Sequence, residues 1–392
     1  MKIILLVSKL SGGGAERVAS ELSLNLPDNI ERVLVLLENK KDYPYKGDLK
    51  VLNTKKVGRY NFPGRIFNIL SRYWQFRKIV KTENPDWVIA FSPALCFLSS
   101  LVFKNTVARA NTYHSLANKS FLEKIKIKIA YQRAEKVTAI SYGVKEDLQK
   151  SFYIKKEIKV IHNPTDINVI KNNIAEENSD PLFKIWIQEK IPIIITAGRL
   201  VEQKGCWHLI RAFSKLREDK VCRLVILGEG PMEDKLKNLA KSLGVKEDIY
   251  FVGFQKNPYI YFSKANIFIL SSLCEGFGKV IVEAMACSLP IISTDCRSGP
   301  REILAPDTDF RKEAKEIEFA KYGILTAVPD GNFYDVKDEL TKEENEISKA
   351  MFQMLENEEF RQGYLKKSLQ RAKDFGIKEW IEKWLEVLKY KI

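Results

Sequence analysis

A chain of 392 residues with 45% apolar and 29% charged side chains can bury two substantial cores, and 20 glycines and 14 prolines are too few for a collagenous or low-complexity polymer. No apolar run approaches the ~18 residues that a membrane-crossing helix needs, and six scattered cysteines without a C-x-x-C pair point to reduced thiols in a cytosolic setting rather than disulfides or structural zinc. Lysine and arginine (64) exceed aspartate and glutamate (50), a net charge of +14, so the expected partners are polyanions: nucleic acid, anionic lipid or a phosphorylated substrate.

Residues 3–8 form an apolar run that would suit a signal peptide, but Ser11-Gly12-Gly13-Gly14 follows with no small-residue cleavage site at the right distance. The run reads as a buried first strand. A helix over 15–26 and a strand over 32–37 come next, and after a basic segment strands are expected at 87–91, 106–111, 136–140 and 158–161. Strand-length runs that alternate with helix-period segments are the pattern of a parallel sheet covered by helices. Asn163-Pro164 stops the last strand, and 165–186 is polar and weakly patterned, so a domain boundary is placed there. The series restarts with a strand at 191–197, a helix at 206–217, a strand at 223–227 and the turn Gly228-Glu229-Gly230-Pro231. A helix at 233–243, a strand at 249–252, a short helix near 258–263, a strand at 267–271, a helix at 279–286 and a strand at 290–294 complete a second doubly wound sheet. Near the end, Trp380, Ile381, Trp384, Leu385 and Leu388 fall at helical spacing. That apolar stripe needs a surface to cover, and the first domain is the candidate. The expected division is a first domain over 1–165, a linker over 166–189, a second domain over 190–375 and a helix over 376–392 that crosses back.

The stretch richest in chemistry is Ser271-Ser272-Leu273-Cys274-Glu275-Gly276-Phe277-Gly278, which opens the helix carrying Glu283. A strand, a glycine-bearing loop and a helix N-terminus make an anion site at the carboxyl edge of a sheet, suited to a diphosphate. A carboxylate in the loop, Glu275, is placed for a sugar hydroxyl, and one further into the helix, Glu283, for the vicinal hydroxyls of a ribose. The plain alternative is that Glu275 caps the helix and Glu283 is solvated.

The Glu-x7-Glu spacing inside 275–286 resembles the donor motif of retaining glycosyltransferases of the family 4 type. The resemblance implies an α/β chain of the GT-B fold, two Rossmann-like domains facing across a cleft, with the nucleotide on the second and Gly276, Phe277, Gly278 and Glu283 at the donor. Other matches follow in order. Gly198-Arg199-Leu200 and Gln203-Lys204-Gly205 resemble the family's pair of basic donor-phosphate ligands. The loops of Gly228 and Gly230, of Phe251 to Phe254, and Ser298-Gly299-Pro300-Arg301-Glu302 resemble its later donor-site loops. Gly12-Gly13-Gly14-Ala15-Glu16-Arg17 resembles the glycine loop of the acceptor domain, which would bring Gly13 and Gly14 to the donor as well. His114 resembles a family histidine that contacts the donor sugar, although Arg109-Ala110-Asn111-Thr112-Tyr113 lacks the acidic residue often found before it. The catalytic candidates are therefore Arg199, Lys204, Glu275 and His114. Chemistry asks for the two cations independently, because departure of a nucleoside diphosphate builds negative charge that fixed cations stabilise. Asp307-Thr308-Asp309 reads as a turn, and the resemblance implies an enzyme that needs no metal and no cofactor beyond its nucleotide-sugar donor.

Between residues 50 and 82 lie nine basic residues and no acid, interleaved with Tyr60, Phe62, Phe67, Tyr73, Trp74 and Phe76, and 121–129 repeats the mixture. Cations among aromatic anchors are how an interfacial helix meets a membrane, although each stretch alone could be a solvated face. The expected partners are a nucleotide sugar, UDP-linked by resemblance, a lipid-linked saccharide or lipopolysaccharide-type acceptor, and the anionic inner face of the cytoplasmic membrane. No finger spacing, RNA-binding sheet motif or basic helix-turn-helix is present, which argues against nucleic acid. Two rivals remain. A nicotinamide-dependent oxidoreductase would need glycine where Arg17 stands, and a catalytically inactive sugar-nucleotide or polysaccharide-binding protein would not need both glutamates and both cations.

Overall fold

A computed structural model describes residues 1–52, 62–115, 120–176 and 180–390. The chain divides into two units, residues 1–163 with 377–392, and residues 164–376.

The first unit is built on the run that opens the chain. β1 (Lys2–Val7) is apolar on successive residues because it lies inside a parallel sheet and is buried on both faces. It is flanked by β2 (Glu31–Leu36) and β4 (Trp87–Ala90), and β3 (Asp48–Val51), β5 (Thr106–Ala110), β6 (Lys136–Ala139) and β7 (Ile158–Val160) complete the order β3-β2-β1-β4-β5-β6-β7. All its pairs are parallel. The connecting helices are α1 (Gly14–Asn25), α2 (Phe62–Glu83), α3 (Pro93–Val102), α4 (Phe121–Arg133) and α5 (Tyr142–Ser151). Of these α3 and α5 had no expectation: the start of α3 is set by Ser92, whose side chain accepts from Leu95 N ahead of Pro93, and that of α5 by Ser141, which accepts from Val144 N.

The second unit contains α6 (Ile167–Ile174), α7 (Pro181–Gln188) and the strands β8 (Ile193–Ala197), β9 (Arg223–Leu227), β10 (Ile249–Gly253), β11 (Ile267–Leu270), β12 (Ile291–Thr294), β13 (Glu318–Ala320) and β14 (Gly323–Thr326). Their order is β10-β9-β8-β11-β12-β14-β13, parallel except for the hairpin of β13 with β14. Its further helices are α8 (Cys206–Asp219), α9 (Glu233–Ser242), α10 (Tyr259–Phe262), α11 (Lys279–Ala286), α12 (Pro300–Leu304), α13 (Lys342–Glu356) and α14 (Glu358–Lys373).

The segment expected as a linker holds α6 and α7, which belong to the second unit. Asp166 caps α6 by accepting from Asn168 N and Val169 N, and Asp180 caps α7 ahead of Pro181. Asp180 also accepts the hydroxyls of Tyr250 (2.9 Å) and Tyr261 (3.0 Å), fixing that segment to β10 and α10.

The last helix, α15 (Ile377–Val387), returns to the first unit. Trp380, Ile381, Trp384 and Leu385 enter the core that holds Ile3, Leu5, Val18 and Leu22. The guanidinium of Arg109, at the end of β5, stacks 5.3 Å from the Trp384 ring and donates to Ile161 O (3.1 Å) and Asn163 Oδ1 (2.9 Å). Burial without a carboxylate partner drags its pKa down to about 9. Trp384→Ala removes the largest side chain of this contact and is expected to cost ~3–5 kcal/mol, read as an earlier midpoint in denaturant unfolding; an unchanged midpoint would mean that the helix does not hold the first unit together.

Candidate functional site

In the second sheet the strand order reverses between β8 and β11, and the chain leaves both strands at their carboxyl ends there. Such a switch point opens a crevice beyond the sheet edge. Gly198, Arg199, Leu200 and a tight turn over Glu202–Lys204 follow β8, and Ser271 to Gly278 follow β11.

The two loops are stitched to each other. Leu273 N donates to Gln203 O (2.9 Å), Gln203 Nε2 to Cys274 O (2.7 Å), and Ser271 Oγ to Lys204 O (3.0 Å). Gly205 adopts φ +56°, and a Cβ there would lie 2.5 Å from Ser271 O, so only glycine permits the approach. The stitching brings Lys204 Nζ to 2.5 Å from Glu275 Oε1, and Ser272 Oγ donates to the same oxygen at 2.7 Å. Burial alone would lower the Lys204 pKa; the Glu275 carboxylate more than offsets it and holds the ammonium above the ordinary lysine range. Arg199 is exposed and makes no side-chain hydrogen bond or ion pair among the described residues.

Beyond Glu275 the chain turns through Gly278, at φ +80°, into α11. The first N–H groups of that helix face the sheet's carboxyl edge with the positive end of the helix dipole. Glu283 is buried on α11, with Tyr259 Oη at 3.3 Å and Lys279 Nζ at 4.0 Å. The plain alternative does not hold for either glutamate: α11 has no side-chain cap, and Glu283 is not solvated.

Other candidate residues have distinct places. Gly228 lies at φ +125°, where a Cβ would stand 2.0 Å from Gly198 O, and one at Gly230 would stand 2.3 Å from Leu200 O. These glycines let two loops meet. Gly276 O accepts from Ser298 Oγ (3.1 Å), and Phe277 is buried with its ring edge-on to Phe375 at 5.5 Å. The Phe277 side chain therefore packs against Phe375, and only its backbone is left to meet a donor. Phe254 follows β10 and is 69% exposed, its N–H donating to Glu229 Oε1.

Gly13, Gly14 and His114 lie in the other unit. Gly13 caps α1 with its backbone. His114 is buried, its N–H on Asp147 Oδ2 (2.6 Å), Nδ1 against Thr112 Oγ1 (3.2 Å) and Nε2 against Tyr131 Oη (3.2 Å). Its ring is part of a packed cluster with Tyr131 and Phe152.

Sequence reasoning passed over Ser272 and Tyr259, for which a single sequence carries no signal. It placed Arg301 in a donor loop; the structure turns that guanidinium into a buried pair with Asp295 (2.5 Å) and Glu318 (2.9 Å), where Asp295 also accepts from Ala314 N. Burial pushes the Asp295 carboxyl up, whereas Arg301 holds Glu318 below its usual range. Asp307 pairs with Lys321 and Asp309 with Arg311, and no group of three or more His, Cys, Asp or Glu among the described residues could hold a metal ion.

Residues 12–169 match the family model described as Glycosyltransferase Family 4, and residues 179–329 the one described as Glycosyl transferases group 1. An uncharacterised glycosyltransferase of Methanocaldococcus jannaschii is 33% identical over 340 residues, 81% of this chain and 82% of that one. The chain is a glycosyltransferase of the family 4 type. An N-acetylgalactosamine-N,N'-diacetylbacillosaminyl-diphospho-undecaprenol 4-alpha-N-acetylgalactosaminyltransferase of Campylobacter jejuni is 29% identical over 391 residues, 95% of each chain. HepE of Anabaena, solved in complex with UDP and glucose, matches with a TM-score of 0.75 over 99% of both chains at 17% identity. The glycosyltransferase thus has the GT-B fold. Two glycines of this enzyme separate close approach from backbone strain. Gly228→Ala forces a Cβ onto a carbonyl and is expected to cost more than ~3 kcal/mol, whereas Gly244→Ala, at φ +73° with nothing within 4 Å, should cost only ~1 kcal/mol in thermal unfolding. Equal costs would contradict the loop contact.

Proposed function

We propose that the enzyme moves a hexose or N-acetylhexosamine from a nucleotide sugar, UDP-linked, to a lipid-linked saccharide or lipopolysaccharide-type acceptor, with retention of anomeric configuration. The observation that carries the reading is the convergence of Arg199, the Lys204–Glu275 pair and the N-terminus of α11 on the switch point of the second sheet. The helix N-terminus takes the diphosphate, Glu283 the ribose hydroxyls and Glu275 a hydroxyl of the sugar. Arg199 and Lys204 face the charge that grows on the leaving phosphate, so the reaction needs no metal ion. The leaving phosphate oxygen accepts the proton of the acceptor hydroxyl while that hydroxyl attacks from the same face, and no enzyme nucleophile forms a covalent intermediate. The diphospho-undecaprenol acceptor in the name of the Campylobacter relative supports the acceptor class, and UDP in the HepE complex supports the nucleotide.

Calorimetric titration should show binding of UDP and none of NAD; the reverse would favour an oxidoreductase. Lys204→Ala is expected to lower turnover by ~100-fold or more with a smaller change in donor affinity, whereas Glu283→Ala should mainly weaken the donor. An inverted product by NMR, or full activity in both Arg199→Ala and Lys204→Ala, would contradict the mechanism, as would loss of activity in EDTA.

The same proposal puts the first unit at the membrane. No helix among the described residues is long and apolar enough to cross a bilayer. α2 presents Phe67, Leu70 and Trp74 to solvent, and α4 presents Phe121, Leu122 and Ile125, both beside lysines and arginines and both packed on α3. Arg77 lies 5.6 Å from the Trp74 ring. Lys55, Lys56, Arg59 and Tyr60 of the basic stretch lie outside the described residues. At ~1 kcal/mol per basic residue near an anionic surface, such a face holds a peripheral enzyme to the inner leaflet. Flotation with anionic vesicles should carry the protein upward at low salt and release it at high salt, and Trp74→Ala with Phe121→Ala should weaken it. A protein that stays below the vesicles at low salt would sink the membrane assignment.

A further inference from the structure

The Lys204–Glu275 contact sets a chemical problem for the proposed reaction. Lys204 has to face a diphosphate, yet its Nζ lies 2.5 Å from a carboxylate oxygen. When the ammonium turns away, Glu275 stays behind with 8% of its surface exposed. A buried carboxylate deprived of its counter-charge protonates, swings or draws the cation back unless other donors hold it.

One such donor is present. Ser272 is fully buried, and its Oγ donates to Glu275 Oε1 at 2.7 Å, the oxygen that also receives Lys204. Its own backbone is fixed, because Thr294 Oγ1 donates to Ser272 O at 2.5 Å. Glu275 is clamped through its main chain as well, with Glu275 N donating to Arg297 O (2.8 Å) and Ser298 N to Glu275 O (2.7 Å). None of these bonds involves Lys204. Both side-chain donors share Oε1, which leaves Oε2 without a partner among the described residues.

We propose that Ser272 is a positioning residue of the donor site: its hydroxyl keeps Glu275 Oε1 in place while Lys204 swings from the carboxylate to the donor's diphosphate, so that Oε2 accepts a hydroxyl of the transferred sugar. The inference rests on the function proposed above and adds a residue and an order of events to it. The two donors differ in the way this requires. Lysine carries its charge on a flexible four-carbon stem and can exchange partners, whereas the serine hydroxyl sits one bond from a Cβ whose backbone is bonded on either side. Before the donor arrives, Lys204 and Glu275 neutralise each other; afterwards the cation serves the leaving group, and the serine is what remains on the carboxylate.

The defect expected of Ser272→Ala is therefore specific. Lys204 is assigned to charge that grows as the glycosidic bond breaks, so kcat should fall about tenfold or more, the range of a lost hydrogen bond to a buried charge. UDP carries no sugar to meet Glu275 but does draw Lys204 from it, so its Kd should rise by no more than about threefold, well short of the fall in kcat, with thermal unfolding shifted by a few degrees at most. In a Glu275→Gln background the same serine substitution should change kcat by less than about twofold, because its target has already been altered. An unchanged kcat in Ser272→Ala overturns the proposal. So does a parallel loss of kcat and UDP affinity, which would show that the serine only braces the loop leading to α11, and so does full additivity with Glu275→Gln. A wild-type protein that binds no nucleotide at all would instead overturn the function on which the proposal rests.

Discussion

Where the second sheet reverses its strand order, an ammonium from one loop meets a carboxylate from the next at 2.5 Å, and much of the local sequence exists to make that meeting possible. Two loops leaving neighbouring parallel strands diverge unless something holds them together. Here a backbone bond from Leu273 to Gln203 and a side-chain bond from Gln203 to Cys274 close the gap, and Gly205, Gly228, Gly230 and Gly299 stand where any Cβ would strike a carbonyl. The charged pair comes after this steric fit: Lys204 and Glu275 meet because their main chains have already been brought side by side. Their mutual attraction then offsets the desolvation that burial imposes on both.

The surroundings use buried charge for a similar purpose. Arg211 on α8 donates through Nε to Glu344, which also receives His208 Nδ1, while its Nη2 reaches the carbonyls of Asp338 and Glu339 and its Nη1 that of Asp335. The segment before α13 is thereby fastened to the helix that begins just after Lys204. Arg301 does the same for the segment between α12 and β13 through Asp295 and Glu318. An arginine fork can satisfy several carbonyls and carboxylates at once, which suits irregular chain that lies against a helix and has no ladder of its own. The surplus of positive charge is elsewhere, on the outer helices of the first unit beside exposed aromatic side chains.

Sequence legibility followed burial. Most strands of both sheets stood out because interior parallel strands are apolar on both faces, whereas β3, β13 and β14 carried no expectation; the Glu275 to Glu283 spacing stood out because it spans a loop and a helix in order. Several of the helices that escaped notice are set by caps, among them Ser92-Pro93 for α3, Asp180-Pro181 for α7, and the Thr341–Glu344 capping box for α13. Each cap is one or two polar residues, although α13 also carries a stripe, Ile347, Ala350, Met351, Met354 and Leu355, that drew no expectation. The placement of Arg199, Lys204, Glu275 and Glu283 at this loop pair was readable, while the contacts of Ser272 and Tyr259 with the two glutamates were not, since a buried hydroxyl bonded to a carboxylate looks in sequence like any serine or tyrosine near a strand. The side chain of Phe277 was not placed by the sequence either: it sits between two loop glycines and turns inward to Phe375, leaving its backbone to the loop.

The most direct test is a crystal structure of the protein with UDP. The account predicts the diphosphate at the N-terminus of α11 within reach of Arg199, the ribose hydroxyls on Glu283, and Lys204 Nζ turned from Glu275 to a phosphate oxygen while Ser272 Oγ remains on the carboxylate. A nucleotide bound elsewhere, or a diphosphate in place with Lys204 still paired to Glu275, would contradict it.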